Sequence, residues 1–297
     1  MNRRGFLQSL AAGIALPSLA TPAQRRQATL GFSTLGCPAW DWIAILDFAA
    51  KHGFGSIELR GLQTVMDLTE RPEFSPERIG RSRKELADRG VRVSCLGSSA
   101  RMHETDLAGR QTQMAEARRF IDLAATLGAP YVRVFGDRLD ATRREQVLAH
   151  VSSGLRELGS YAGDRGVVVV IESHGDFVES PTLKELLERT ASPHVALLWD
   201  AHHTFAAGKE EPEQTIEQLG RYIRHTHLKD SRPGEKERQY VLTGEGDVPV
   251  KRQVQLLAKS GYTGDYSFEW EKRWHPEIPE PEVAFPHFAR VLREYLA

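Results

Sequence analysis

Four residues with side chains suited to a divalent metal ion stand at the ends of four apolar segments: Glu172, Asp200, His227 and Glu269. Each segment has an apolar run or alternation typical of a buried strand, over residues 167–172, 195–200, 223–230 and 266–269. Three carboxylates and one imidazole suit Mn²⁺, Mg²⁺ or Co²⁺ better than an ion that prefers thiolates, with Zn²⁺ as the alternative. Because burying three carboxylates together is costly, the pattern predicts one divalent ion among them.

The elements that position these residues alternate between strand and helix along the chain. The patterns predict eight strands and eight helices, and so an α/β fold, a closed (β/α)8 TIM barrel formed as a single domain by residues 28–297. In such a barrel the carboxyl ends of the strands meet at one mouth, where active sites lie. An open doubly wound sheet is disfavoured, because no glycine-rich phosphate turn follows an early strand.

Glycines mark the predicted ends of several helices, as at Gly53, Gly90 and Gly128. The other predicted strands cover residues 29–33, 56–60, 91–96 and 131–135. The predicted helices cover residues 40–52, 75–89, 106–127, 142–165 and 282–295, with further helices beginning near residues 181, 212 and 248. The Gly244-Glu-Gly246 sequence is a weak phosphate signal, and a turn is at least as good an interpretation.

The N-terminal segment, residues 1–27, is interpreted as a targeting signal. Arg3 and Arg4 precede a short apolar run and then small residues suited to cleavage, the order found in twin-arginine export signals. The apolar run is too short to cross a bilayer, which takes roughly 20 residues. We therefore expect export to the periplasm, removal of the signal and no stable membrane insertion.

The composition disfavours polyanionic partners. Lys and Arg number 39 against 40 Asp and Glu, a formal net charge of -1, so no basic field is available to attract nucleic acid. Cys37 and Cys95 follow predicted strands that are not neighbours in the barrel, and we expect two free thiols.

Five sequence motifs resemble those of the xylose isomerase-like TIM barrels, a family that includes sugar phosphate isomerases and epimerases, ketose 3-epimerases, inosose dehydratases and AP endonucleases. The motifs are Ile171-Glu-Ser-His174, Trp199-Asp-Ala-His-His203, His225-Thr-His-Leu-Lys-Asp230, Gly244-Glu-Gly246 and Gly261-Tyr-Thr-Gly264 leading to Phe268-Glu269. The resemblance covers nearly all of the chain after the signal segment.

The resemblance assigns roles to particular residues. It implies that the metal ligands are Glu172, Asp200, His227 and Glu269. It also implies a substrate contact at His203, to which we add four further candidates: His174, Lys229, Arg133 and Glu58. We interpret His202 and His225 as supporting or packing groups. Arg60, beside Glu58, is expected either to contact substrate or to pair with Glu58.

Two departures from the family narrow the function. Residues 231–243 contain no histidine, which argues against the three-zinc site of the AP endonucleases, and no feature is suited to holding a phosphate. We therefore predict a metal-dependent isomerase or epimerase acting on a small keto sugar or sugar derivative, with Glu172 and Glu269 moving a proton next to a carbonyl.

Two alternatives use the same fold. A lyase or dehydratase acting on a keto sugar, a 3-keto-glycoside or an inosose would use the same residues. A non-catalytic carbohydrate-binding barrel is disfavoured, since it would not need three ionisable ligands around a cation. The sequence is also compatible with a homo-oligomer.

Overall fold

The computed structural model describes residues 28–297, so the predicted export signal at residues 1–27 lies outside the described residues. The strands are β1 (Thr29–Ser33), β2 (Ser56–Leu59), β3 (Arg92–Arg101), β4 (Tyr131–Phe135), β5 (Val168–Glu172), β6 (Val195–Asp200), β7 (Ile223–Leu228), β8 (Asp230–Pro233), β9 (Arg238–Val241) and β10 (Asp265–Phe268). The α-helices are α1 (Trp42–His52), α2 (Ile79–Asp88), α3 (Leu107–Leu127), α4 (Arg144–Gly163), α5 (Ser180–Thr190), α6 (Ala201–Ala206), α7 (Pro212–Leu219), α8 (Val250–Lys259) and α9 (Pro281–Leu296).

Eight parallel strands close into a barrel in the order β1-β10-β7-β6-β5-β4-β3-β2, which confirms the predicted TIM barrel. The register brings strand ends of distant sequence to one level, since Phe135 pairs with Glu172 and Asp200 pairs with His227. Strands β8 and β9 form a separate antiparallel hairpin after β7. The carboxyl ends of β5, β6, β7 and β10 are therefore side by side at the barrel mouth.

Local sequence signals explain where the long helices begin and end. Asp41 caps α1 by accepting a hydrogen bond from the Ala44 amide at 2.8 Å, and Asp106 caps α3 in the same way through Gly109 at 2.7 Å. Helix α3 ends at Gly128, whose φ of 78° lies in the left-handed region that glycine adopts without strain. These signals place the loops above β1 and β3 at the mouth.

The pleat of the strands points alternate side chains towards the surrounding helices and into the barrel interior. Alternate residues such as Val169, Ile171 and Trp199 pack outward in the large core between sheet and helices. A small apolar cluster, consisting of Cys95, Val170, Ala196 and Leu198, fills the barrel interior. Val170 and Leu198 stand two residues before Glu172 and Asp200 on the same strands, so both acidic side chains also face inward, closer to the mouth.

The structure changes several predicted boundaries. Strands β4 and β6 have the predicted bounds, but β3 continues to Arg101 instead of ending at residue 96. Its second half, Gly97-Ser98-Ser99, lacks an apolar signal; it is held by the neighbouring strand, where Ser98 donates its hydroxyl to the Arg133 carbonyl at 2.6 Å. Helix α2 begins at Ile79 rather than residue 75, because residues 76–78 form a turn.

Two further elements were not predicted. Helix α6 follows β6 directly, because Asp200 is both the last residue of the strand and the N-cap of the helix. Its side chain accepts hydrogen bonds from the His202 and His203 amides. Residues 231–243, for which the sequence indicated no strand or helix, contain most of the β8–β9 hairpin. Cys37 and Cys95 are free and buried, which confirms the two predicted thiols. Among the described residues, none of the helices has the length and apolar character needed to cross a membrane.

Candidate metal centre and active site

The four predicted ligands converge at the mouth. The Nδ1 atom of His227 lies 3.2 Å from Glu269 Oε1, 3.5 Å from Glu172 Oε1 and 3.8 Å from Asp200 Oδ2. One donor atom from each residue lies within 4.8 Å of every other, and all four residues are buried. Donors bound to one ion at about 2.0–2.3 Å can be at most about twice that distance apart, so the set fits a single divalent ion after small adjustments.

The two nitrogens of His227 differ in their surroundings. Its Nε2 bonds to Glu58 Oε2 at 2.8 Å, whereas its Nδ1 has no hydrogen-bond partner among the described residues and faces the carboxylates. Burial by itself lowers the pKa of His227, but the charges of Glu269, Glu58 and Glu172 raise it well above its usual value. Both observations indicate a site that attracts positive charge at Nδ1.

Cationic side chains pair only in part with the carboxylates of the site. Arg133 contacts Glu172, and Lys229 contacts Asp200, Glu269 and Glu271. Four carboxylates thus share two permanently cationic groups, and an excess of negative charge away from water is unfavourable. A divalent ion among Glu172, Asp200 and Glu269 would neutralise it.

Lys229 is buried among the carboxylates. Its Nζ donates to Asp200 Oδ2 at 2.7 Å, pairs closely with Glu269 Oε2 and lies 2.8 Å from Glu271 Oε1. Burial alone lowers the pKa of this ammonium group, but the three carboxylates raise it well above its usual value. The substrate contact of Lys229 stays a prediction. In the structure its Nζ contacts Asp200 Oδ2, the oxygen nearest His227 Nδ1, and the second oxygen of Glu269, Oε2.

Arg133 forms a buried ion pair with Glu172. Its Nε is 3.1 Å from Glu172 Oε2, and its guanidinium carbon lies 3.8 Å from the centroid of the Phe135 ring. Burial raises the pKa of Glu172, but the charges of Arg133 and His227 lower it to about 2. Glu172 is therefore held as a carboxylate, the state required of a ligand or a base.

Arg60 adjoins Arg133 with only Gly97 between them. A Cβ on Gly97 would lie 2.7 Å from Arg60 Cδ and 2.9 Å from Arg133 Nη2. Burial and the neighbouring charge of Arg133 lower the pKa of Arg60 to about 9. The Nη1 atoms of both arginines are buried without a hydrogen-bond partner among residues 28–297. The missing side chain at Gly97 thus allows two guanidinium groups to approach the site together.

The histidines after β5 and β6 form a group at the mouth. His174 and His203 have ring centroids 5.0 Å apart, and His203 Nε2 lies 3.4 Å from Asp200 Oδ2. The amides of His202 and His203 both donate to Asp200 Oδ1 at 3.0 Å, which fixes that carboxylate at the start of α6. The His203 side chain is 22% exposed, so this predicted substrate contact is accessible from the mouth.

Several residues around the candidate ligands hold other parts of the site in place. His202 Nε2 bonds to Ser231 Oγ at 2.8 Å, so its side chain is a supporting group, as interpreted from the sequence. Asp230 accepts hydrogen bonds from the Gly244 and Gly246 amides at 2.8 and 3.0 Å, so the glycine pair forms a turn, one of the two interpretations that the sequence left open. Sequence reasoning missed Glu271, although it stands two residues after Glu269 and so has the same inward register.

Tyr240 was also missed, and its position in the unpredicted hairpin gave no signal. Its hydroxyl donates to Glu271 Oε1 at 2.9 Å, and its ring lies 4.9 Å from that of His275. Glu58, predicted as a substrate contact, is fully buried and bonds to His225 and His227. The structure therefore brings every predicted site residue to one region, with Glu58 behind the ligands.

Comparison with solved structures shows the same fold. A structure of the probable 3-DHS dehydratase AsbF from Bacillus anthracis has a TM-score of 0.75 and 17% identity, covering 89% of this chain and 98% of that one. A structure of L-ribulose 3-epimerase has a TM-score of 0.73 and 19% identity, covering 91% of this chain and 95% of that one. A structure of IOLI protein with a binding zinc atom has a TM-score of 0.69 and 18% identity, covering 90% of this chain and 99% of that one. At these identities the likeness establishes the fold alone.

Sequence comparison identifies the family. No curated protein matches the chain. A family model described as xylose isomerase-like TIM barrel matches residues 46–295, most of the chain and the whole of the metal-ligand arc. With the closed barrel and the convergent ligand set described above, the chain belongs to the xylose isomerase-like TIM barrel family.

Proposed function

We propose that the protein is a metal-dependent isomerase or epimerase of a keto sugar or sugar derivative, which moves a proton at the carbon next to a carbonyl group. The observation that carries the proposal is the order of the ligands around the barrel. Glu172 and Glu269 stand on the outer strands of the arc β5-β6-β7-β10, and Asp200 and His227 stand between them. A carboxylate on each side is what removal and return of a proton require.

The ion would supply positive charge beside the carbonyl oxygen, which makes the neighbouring C–H more acidic. The oxygen-rich ligand set favours Mn²⁺, Mg²⁺ or Co²⁺, and Zn²⁺ is the alternative. Measurement of bound metal after purification, followed by reconstitution with each ion, identifies the one that supports activity. Activity equal to that of the loaded enzyme after complete chelation would contradict the assignment.

The chain's own residues set the state of the two carboxylates. Arg133 holds Glu172 Oε2, and Lys229 holds Glu269 Oε2. These contacts keep both groups deprotonated and orient them, but they also lower their basicity. A carboxylate that accepts the substrate proton must loosen its contact with the cation. We assign Glu172 and Glu269 to proton transfer, and His203, His174 and Arg133 to contacts with substrate oxygens.

The test is solvent exchange with Glu172→Gln and Glu269→Gln. Each variant keeps the size of the side chain and one carbonyl oxygen, so saturating metal should still load the site. Deuterium entry from D₂O at the substrate carbon should fall by about 10²-fold or more in the variant that lacks the base. Glu213→Gln is the control, since Glu213 is exposed on α7 and pairs only with Arg252 among the described residues.

Two results would reassign the reaction. If both Gln variants, saturated with metal, exchange deuterium at the wild-type rate, the base lies elsewhere, with His174, His203 and Lys229 as the next candidates. If NMR of a panel of keto sugars and 3-keto-glycosides shows loss of a substituent instead of exchange with a retained skeleton, the protein is a lyase or dehydratase.

We also propose export to the periplasm, from the arginine pair and apolar run of residues 1–27. Joint replacement of Arg3 and Arg4 by Lys should leave unprocessed precursor in the cytoplasm, seen by fractionation and immunoblotting. Normal processing and export of that variant would show that the signal is misinterpreted.

A further inference from the structure

Glu58 connects two parts of the barrel that are distant both in sequence and around the sheet. It lies on β2, whereas its partners His225 and His227 lie on β7, and β1 and β10 separate these strands. The contacts therefore cross the barrel interior. They span 167 and 169 residues of sequence, so no local signal could have predicted them.

The contacts occupy the whole Glu58 carboxylate. Oε2 bonds to His225 Nε2 at 2.7 Å and to His227 Nε2 at 2.8 Å, and Oε1 accepts a hydrogen bond from Ser33 Oγ at 3.3 Å. All four residues are 0% exposed. A buried carboxylate is costly unless donors surround it, and these three donors meet that requirement.

We propose that Glu58 is a positioning residue that fixes the tautomer and ring orientation of His227, so that Nδ1 faces the metal ion. A carboxylate accepts but does not donate, and therefore the proton of a neutral His227 stays on Nε2. The lone pair is then on Nδ1, which points towards Glu172, Asp200 and Glu269. The negative charge on Glu58 also makes the imidazole a stronger ligand.

This inference rests on the metal centre of the proposed function but not on which reaction the enzyme catalyses. It also replaces the predicted substrate contact of Glu58, because both carboxylate oxygens are already engaged and the residue lies behind the ligand. The three donors around it, His225 Nε2, His227 Nε2 and Ser33 Oγ, leave the carboxylate to act only as an acceptor.

A second ion at Glu58 is the competing explanation. Glu58, Cys95 and His225 also offer donor atoms that lie within 4.8 Å of one another. Glu58 Oε2 is shared by two histidine nitrogens at hydrogen-bond distance, and His225 Nε2 is engaged in one of these bonds. Burial raises the pKa of the Cys95 thiol well above its usual value, and a protonated thiol is a poor ligand. The geometry therefore favours the positioning role.

The experiment measures Mn²⁺ affinity by calorimetry without substrate in the wild type, Glu58→Ala, Glu58→Gln and Ser33→Ala. Loss of the partner of a ligating histidine typically costs 10–100-fold in metal affinity, and we expect a loss of about this size for Glu58→Ala. Glu58→Gln should lose less, because its carbonyl oxygen still accepts one Nε2–H. Ser33→Ala removes only the contact to Oε1 and is the matched control. Its Mn²⁺ affinity is expected to stay within about threefold of the wild-type value.

A second measurement separates positioning from general support of the fold. Nitrogen-15 NMR of the metal-free protein, at a pH high enough for His227 to be neutral, should show His227 with its proton on Nε2 in the wild type and a mixture of tautomers in Glu58→Gln. Melting of the metal-free proteins reports any purely structural loss. If Glu58→Ala does not fold, the Gln variant decides alone. Wild-type Mn²⁺ affinity together with an unchanged His227 tautomer in a folded Glu58 variant would overturn the proposal. Two Mn²⁺ ions per wild-type chain, falling to one in Glu58→Ala, would also overturn it.

Discussion

The two halves of the barrel mouth have opposite charge. On the side of β5, β6, β7 and β10, three carboxylates and His227 converge with Lys229 among them. On the side of β2, β3 and β4, the side chains of Arg60 and Arg133 both approach Gly97. The acidic half has more carboxylates than cationic side chains, whereas the cationic half has buried N–H donors without partners in the described chain. In the proposed function, the acidic half would hold the ion and the cationic half would receive substrate oxygens.

The largest expected effect comes from removing a ligand of the acidic half. Asp200→Ala and His227→Ala should each lose most of the bound divalent ion and most of the activity together, because the four ligands act as one charge-compensated unit. Metal content by mass spectrometry and turnover are measured on the same preparations. Full metal occupancy in both variants would show that the acidic half does not hold the ion.

Removing Lys229 should have the next largest effect, on stability. Its ammonium group is buried against three carboxylates, and Lys229→Met leaves them without that charge. Breaking a buried ion pair from one side typically costs 3–5 kcal/mol, so the unfolding free energy of the metal-free protein should fall by about that amount. Saturating ion should reduce the loss, because it neutralises Asp200 and Glu269.

The matched control for this prediction is Lys84→Met. Lys84 pairs with Asp88 at 2.7 Å on the surface of α2, and its side chain is 73% exposed. Exposed pairs of this spacing contribute roughly 0.3–0.5 kcal/mol. Urea unfolding that shows equal losses for the two lysine variants would mean that Lys229 has no special role in the acidic half.

The smallest expected effect comes from a substitution in the cationic half, Gly97→Ala. Gly97→Ala would place a Cβ against Arg60 and Arg133 and push the two guanidinium groups apart. We expect KM to rise about tenfold, since displacing a positioning group by about 1 Å can cost up to 10²-fold, while Mn²⁺ affinity stays within about threefold. Gly80→Ala is the control, as a Cβ there meets no described atom within 4 Å. A loss of metal affinity without a change in KM would reverse the assignment of the two halves.

The sequence by itself predicted the barrel, most strand positions and the four candidate ligands that the structure brings together. Strands β4 and β6 have short apolar runs with clear ends, and their local pattern predicted both bounds. Glu172 and Asp200 end such runs, and the rule that strand ends meet at the barrel mouth placed them together with His227. These features depend on periodicity within a few residues, which a single sequence displays directly.

Only the tertiary structure decided which side chains support the ligands. Glu58 reaches His227 across the closed barrel, and Gly97 matters because two arginines from neighbouring strands approach it. The second half of β3 is a strand because β4 supplies its partners, and Tyr240 reaches Glu271 through the hairpin. Barrel closure brings together residues as distant in sequence as Glu58 and His227, which are 169 positions apart, and such contacts leave no periodic pattern in the chain.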